Sequence, residues 1–386
     1  MRGRVRTLAT ADVVVVGAGI MGASAALQLA ERDVEVVVLE RESAPAMGST
    51  GKSAAGVRVQ FTTAANVGLS MASLPIFRAF EEVHGMGIGY RDIGYLLLVP
   101  TDRWANHLAS VELQRALGAP VEVLSVEEAM AHVDFAPEGL AGATFGPWDG
   151  VVDPHMVTGA WVAQGRALGV GYRFGHPVTE IRREGDGWIV RAGDTLVSCA
   201  SVVNAAGAWS GQVAALAGLH VPVLPKRIQI FLSAPRPGAA SLPMTIDVGS
   251  GVYVRSEGDR LLFGLDNLSE GFGFTEGIDP EWLEHVLTTG VDRFPWWDEM
   301  GVDWKGSWWG YYGVTPDNSP VIGENPGAPG WIDVCGFSGH GIMHSPAAGV
   351  AAAEILTQGA ATTVDVSAFG HGRFTDGSLP IETNVF

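Results

Sequence analysis

Four consecutive valines, Val13-Val14-Val15-Val16, run directly into Gly17-Ala18-Gly19-Ile20-Met21-Gly22. An unbroken row of β-branched residues makes a strand buried on both faces, as in a parallel sheet. The glycines have the G-x-G-x-x-G spacing, and residues 23–32 (ASAALQLAER) continue as a small-residue helix. A second apolar run, residues 34–39, ends at Glu40, 21 positions after Gly19. Strand, tight glycine turn, helix, strand and acidic residue together form a dinucleotide-binding unit. Gly17 permits the turn, Gly19 lets the backbone approach a pyrophosphate, and Gly22 lets the helix pack against the strand. The helix N-terminus presents unpaired N–H groups to phosphate. Glu40 is placed to accept hydrogen bonds from a ribose hydroxyl.

At 386 residues the chain is long enough for about two structural domains. Its formal charge is −18, and its lysines are Lys52, Lys226 and Lys305. So negative a surface repels nucleic acid and anionic membranes, which argues against either as a partner. Cys199 and Cys335 form no C-x-x-C and argue against a disulfide framework or a cysteine-ligated metal; they read as small buried hydrophobes. The ten histidines show no helical ligand pair, so no metal site is expected. No stretch reaches the roughly 20 apolar residues of a membrane span. The N-terminal MRGRVRTLAT lacks the apolar core of a signal peptide and reads as a short frayed tail, so a cytoplasmic location is expected by default.

Residues 43–56 (SAPAMGSTGKSAAG) form a loop too small-sided for core and suited to lying against a planar ligand. Helices are expected over 64–83, 102–117, 125–132, 280–288 and 346–356. Residues 87–99 read as strands. A hairpin is expected over 178–190 around the Gly-Asp-Gly turn at 185–187. Residues 221–310 are mostly strand-like and carry a tryptophan cluster, Trp296, Trp297, Trp304, Trp308 and Trp309, suited to core and interdomain packing.

Four segments, in order along nearly the whole chain, resemble the FAD-dependent D-amino-acid oxidase and sarcosine oxidase superfamily, which includes glycine oxidase and the β subunits of sarcosine oxidase and proline dehydrogenase. They are VVVVGAGIMG with Glu40-Arg41, GSTGKSAAGVRVQF (48–61), VVNAAGAWS (202–210), and GYYGVTPDNSPVIG (310–323) followed by GFSGHG (336–341). The fold this resemblance implies is α/β: a Rossmann-like FAD-binding domain from residues 11–85, 145–215 and 311–386. Interleaved with it is an antiparallel-sheet, α+β substrate or cap domain from 86–144 and 216–310.

The resemblance also implies the FAD contacts. In the first two segments these are Gly17, Gly19, Ile20, Met21, Gly22, Glu40 and Arg41, then Ser49, Thr50, Ser53, Ala54, Ala55 and Gly56. Further along they are Val178, Ala206, Gly207, Trp209 and Gly313, and at the end Gly336, Ser338, Gly339, His340, Gly341 and Ile342. It implies that Arg58 grips a substrate carboxylate, since a guanidinium fork suits bidentate recognition. Tyr253 falls where a substrate-facing tyrosine is expected, and His340 beside the flavin. Gln229, Arg255, Tyr311 and Tyr312 are weaker candidates for the same cavity.

Departures from the family pattern carry information too. No cysteine stands at Gly310-Tyr311-Tyr312 and no histidine at Gly51-Lys52, so the FAD is expected to be non-covalent. Met343 replaces a carboxylate-binding lysine, and Leu262 matches an oxygen-activating one. The expected reaction is hydride transfer from an amine or amino-acid substrate to flavin N5, giving an imine. Oxygen or another acceptor then reoxidises the FAD. An FAD-bearing subunit of a multi-subunit amino-acid dehydrogenase stays open as an alternative, as does a homo-oligomer. A flavin monooxygenase is the weaker alternative.

Overall fold

The computed structural model describes residues 7–238 and 240–385. The valine run lies at the centre of an eight-stranded sheet, in strand β1 (Thr7–Val16), with Val14 and Val15 fully buried. Val13 and Val15 join the core on one side of the sheet, Val14 and Val16 the core on the other. This two-sided burial is what an unbroken β-branched run requires. β1 pairs in parallel with β2 (Val36–Leu39) and with Thr195–Asn204. Outward from these lie Gly171–Arg173 on one side, and Trp331–Cys335 and Val321–Glu324 on the other. The expected hairpin is present as Val178–Glu184 and Gly187–Ala192, attached antiparallel to Thr195–Asn204.

One expectation is corrected at the start of the chain. Thr7 to Thr10 are not frayed but extend β1, in register with Thr195 to Ser198. Met1 to Arg6 lie outside the described residues.

Helix α1 (Ile20–Ala30) crosses the Gly341–Gln358 helix at very close range. A Cβ on Gly349 would lie 2.1 Å from Ser24 Oγ, and Ser24 Oγ donates to the Ser345 carbonyl at 2.8 Å. The later helix starts at Gly341 rather than at Pro346. Pro346 has no N–H for the Ile342 carbonyl, and Ser345 Oγ donates to that carbonyl instead, at 2.6 Å.

A second eight-stranded sheet runs Trp308–Val314, Leu224–Leu232, Arg260–Gly264, Tyr253–Glu257, Met244–Asp247, Tyr95–Pro100, Leu140–Gly146, Glu122–Leu124. It is antiparallel except where Met244–Asp247 pairs in parallel with Tyr95–Pro100. Trp308–Val314 spans the expected domain boundary at residue 311 and pairs wholly within this sheet. Period-2 alternation divides the sheet's faces. Leu96, Leu98, Val254, Phe263 and Phe231 pack outward under the Pro280–Arg293 helix and Trp297. Tyr95, Leu97, Met244, Ile246, Tyr253 and Leu262 face inward. That inner face roofs the site. Of the tryptophans, Trp297 is core, Trp308 Nε1 donates to the Lys52 carbonyl at 2.8 Å, and Trp304 is exposed.

Among the described residues no helix is long and apolar enough to cross a membrane, and no cluster of His, Cys, Asp or Glu is set to hold a metal.

Candidate active site

A cavity of about 390 Å³ opens at the C-terminal ends of β1, β2 and Thr195–Asn204. Ligands in open α/β folds bind outside the carboxyl ends of the strands, and this cavity obeys that rule. α1 begins here at N-cap Gly19 with no acidic residue in its first turn, and Ile20 N donates to the neutral Thr50 Oγ1 at 3.1 Å, so no charge of the chain itself offsets the helix's positive end. Glu40 lies opposite; its carboxylate accepts from Ala18 N at 2.6 Å and Glu42 N at 2.9 Å, with lone pairs to spare for a diol. Ser49 Oγ, in the cavity wall, is buried without a partner among the described residues. Glycine turn, helix end without an acidic residue, acidic acceptor and orphaned hydroxyl together fit FAD. At the Glu40 end, Trp209 has the Arg41 guanidinium 3.7 Å from its ring centroid. Phe274, from the second sheet's 265–279 loop, stacks on the same ring at 5.0 Å.

Ser53, Tyr312, Gly339 and Ile342 line both this cavity and a smaller chamber of about 70 Å³ under the second sheet. The chamber's other walls are Ala54, Ala55, Gly56, Arg58, Tyr95, Met244, Ile246, Tyr253, His340 and Met343. Each of its three tyrosine rings rests on a glycine. A Cβ on Gly56 would lie 1.7 Å from the Tyr95 hydroxyl, on Gly264 2.4 Å from the Tyr253 hydroxyl, and on Gly339 2.7 Å from the Tyr312 ring.

Burial sets the charge state of this chamber. It pushes the Tyr95 phenol up to about 12 and raises Tyr253 and Tyr312 further, so all three stay protonated. Burial, with the Arg58 charge second, holds His340 well below the usual imidazole range. His340 is therefore neutral, and neither ring nitrogen has a hydrogen-bond partner among the described residues. Phe61 packs edge-on to it at 4.8 Å and carries the Arg58 guanidinium 4.0 Å over its ring centroid. Arg58 donates to the Gln60 carbonyl at 2.5 Å and to the Asn384 carbonyl. Burial lowers its pKa and Glu382 opposes that most strongly; an arginine in a protein stays charged.

Behind Arg58 lies Asp149, fully buried, accepting from Val59 N at 2.9 Å and Gln60 Nε2 at 3.1 Å. Desolvation pushes its carboxyl up to about 7 from 3.8. The folded protein then keeps this proton where the unfolded chain has lost it. Its contribution to stability is full below about pH 4 and is lost as pH rises to about 7. That difference corresponds to about 4 kcal/mol. Asp149→Asn is expected to flatten the fall in melting temperature across this window; an unchanged slope would assign the titration elsewhere.

The structure sorts the sequence-predicted residues. Gly17, Gly19, Ile20, Met21, Glu40, Arg41, Ser49, Thr50, Ser53, Val178, Ala206, Gly207, Trp209, Gly313, Gly336, Ser338, Gly339, Gly341 and Ile342 line the larger cavity. Ala54, Ala55, Gly56 and His340 line the smaller chamber instead, beside Arg58 and Tyr253. Gly22 lines neither and sits at the helix–strand crossing. Tyr311 faces the larger cavity and Tyr312 both. Two weaker candidates fall outside. Gln229 shares the outward face with Phe231 and accepts from Asp279 N at 2.6 Å. Arg255 is engaged by the Ala54 carbonyl at 3.0 Å and by Glu257. Tyr95, Met244, Ile246 and Asp149 were not singled out from sequence. Alternation marks Met244 and Ile246 as one face, but nothing local shows that this face meets Tyr95.

A profile of the DAO family, described as FAD dependent oxidoreductase, matches residues 12–355. The chain is 30% identical to FAD-dependent oxidoreductase domain-containing protein 1 of Xenopus laevis, over 97% of this chain and 85% of that one. It is also 30% identical to glycine oxidase of Geobacillus kaustophilus (strain HTA426), over 94% of this chain and 97% of that one. The crystal structure of L-proline dehydrogenase from P. horikoshii matches with a TM-score of 0.89 at 28% identity, covering 96% of this chain and 99% of that one.

Proposed function

Because this chain belongs to the DAO family and is an FAD-dependent oxidoreductase, we propose that it oxidises a carbon–nitrogen bond of a small amino acid or amine to the imine. The observation that carries this reading is the smaller chamber, which adjoins the cofactor cavity and offers one buried guanidinium among neutral walls. Bound FAD supplies the two-electron acceptor that such an oxidation needs. Arg58 binds the substrate carboxylate and so fixes the orientation of the carbon that loses hydrogen. A chamber with a fixed cation and no carboxylate among its described walls disfavours an ammonium. The amine therefore reacts uncharged, with its electron pair available, and no strong base is required. Neutral His340 offers one donor and one acceptor to it, and the protonated tyrosines offer donors.

The names of two relatives, glycine oxidase and L-proline dehydrogenase, lend this substrate class support. The FAD is non-covalent in this reading. Tyr311, Tyr312 and Lys52 occupy the positions where attachment is expected, and Cys335 in the cavity wall has its thiol held protonated by burial. One observation favours the second reading, an FAD-bearing subunit. Leu268 is 88% exposed and Phe272 61% exposed on the single 265–279 loop, an apolar surface of the kind that partners cover.

An anaerobic titration of the holoprotein with primary and secondary amino acids and amines tests the main reading. Bleaching of the flavin band by amino acids is expected, and readmitted air shows whether oxygen is the acceptor. A band untouched by the whole panel would overturn the assignment. Reduction by substrate with poor turnover of the isolated chain, together with self-association or partner binding in gel filtration, would favour the subunit reading.

A further inference from the structure

We propose that residues 380–385 form a positioning strap for Arg58, anchored by Glu382. The inference rests on the reading of Arg58 as the carboxylate-binding group and extends it to a segment far away in sequence.

Arg58 donates to the main-chain carbonyl of Asn384, 326 positions along the chain. Asn384 is itself held at two points: its Nδ2 donates to the Gln60 carbonyl at 3.1 Å, and its N–H to Glu382 Oε1 at 2.9 Å. One guanidinium edge, the Gln60 carbonyl and Asn384 thus close a ring of contacts. Glu382 secures that ring. It is fully buried and accepts from Thr62 N at 3.0 Å, Thr62 Oγ1 at 2.7 Å, Thr63 N at 3.2 Å and Asn66 Nδ2 at 3.2 Å. These donors surround the start of helix α2 (Ala64–His84), whose N-cap Thr63 makes no side-chain cap of its own. A carboxylate is favoured there by the helix dipole. Its charge is also the largest favourable electrostatic influence on Arg58.

What the strap buries is its most informative feature. Glu382 and Asn384 point inward at 0% and 5% exposure, whereas Ile381 is 58% exposed. A terminal segment docked for core packing would bury its isoleucine and leave its carboxylate in water. This one does the reverse. Its inward groups are those that a buried guanidinium and a helix N-terminus can use. Arginine is a long, flexible side chain, and a substrate carboxylate gains a bidentate partner only where the fork is fixed beforehand.

The experiment uses the full-length holoenzyme as Glu382→Ala, Glu382→Asp, Asn384→Gly and Arg58→Ala. Glu354→Ala serves as a matched control. Glu354 is likewise buried and accepts from Thr362 N and Thr363 N, but it lines neither cavity. Acetate, which cannot react, is titrated against the flavin absorbance. In parallel, KM and kcat are measured for an amino acid and for the corresponding amine without a carboxylate.

Glu382→Ala is expected to weaken acetate about tenfold and to raise KM for the amino acid alike, with kcat and the carboxylate-free amine within about twofold. Glu382→Asp recovers part of the loss. Glu354→Ala lowers the melting temperature without changing the preference for carboxylate. Should Glu382→Ala not fold, Asn384→Gly, which keeps the anchoring carboxylate, is expected to weaken acetate about threefold. If Arg58→Ala loses acetate while the strap variants keep it, the strap is overturned and Arg58 stands. If Arg58→Ala keeps acetate, both fall together.

Discussion

Replacing Arg58 by alanine is expected to raise the apparent substrate constant of carboxylated amines about 100-fold, and that of carboxylate-free amines far less. The asymmetry follows from burial. Arg58 is 4% exposed and is the one cation among the chamber's described walls. A carboxylate entering the chamber leaves water, and without Arg58 it would stand unpaired in a low-dielectric space. A carboxylate-free amine makes no such demand. The alanine variant also strips a donor from the Gln60 and Asn384 carbonyls, so its melting temperature falls as well. Arg58→Lys separates the two effects, because it keeps the charge and loses the planar fork. It is expected to lie between wild type and alanine for amino acids. Equal increases for both substrate classes in Arg58→Ala would show that the residue serves the fold rather than the substrate.

How much of this site the sequence announces depends on whether a residue's task is local. The glycine turn, the 48–56 loop and the 336–341 turn are legible because their requirement is for backbone shape, which neighbouring residues reveal. The chamber roof is not. Met244 and Tyr95 become neighbours only through the parallel pairing of Met244–Asp247 with Tyr95–Pro100, a register that neither strand states by itself. Asp149 sits in a Trp-Asp-Gly turn that reads as solvated, yet its carboxylate is fully buried and tied to Val59 and Gln60. Residues 381–385 carry no motif, and what Glu382 touches, a helix N-terminus about 320 residues earlier, is not written in them. His340 was legible as a residue of the site, because the turn that carries it is. Which cavity it faces was not, since that depends on Phe61, Arg58 and the roof together.

Gly22→Ala is expected to abolish tight FAD binding. A Cβ at position 22 would lie 1.9 Å from the Gly17 carbonyl oxygen, 3.0 Å from the Gly17 carbonyl carbon and 3.3 Å from Val15 Cγ1. The nearest of these atoms are backbone, so no side-chain rotation relieves the clash, and α1 must move away from β1. Overpacking of this kind costs about 1–3 kcal/mol or more. The displacement also falls on the turn that aims the helix N-terminus at the phosphates. Gly17 cannot give way easily. Its φ is +105°, and a Cβ there would already lie 2.7 Å from the Ala205 carbonyl oxygen. Gly68→Ala, inside α2, has nothing within 4 Å of its new methyl group. It is expected to stabilise the protein by about 0.5–1 kcal/mol through helix propensity alone. The same substitution therefore has opposite signs at the two positions. Bound flavin per chain and the melting temperature of each variant check this directly. A Gly22→Ala protein that retains stoichiometric FAD at wild-type affinity would mean that α1 can shift without disturbing the turn.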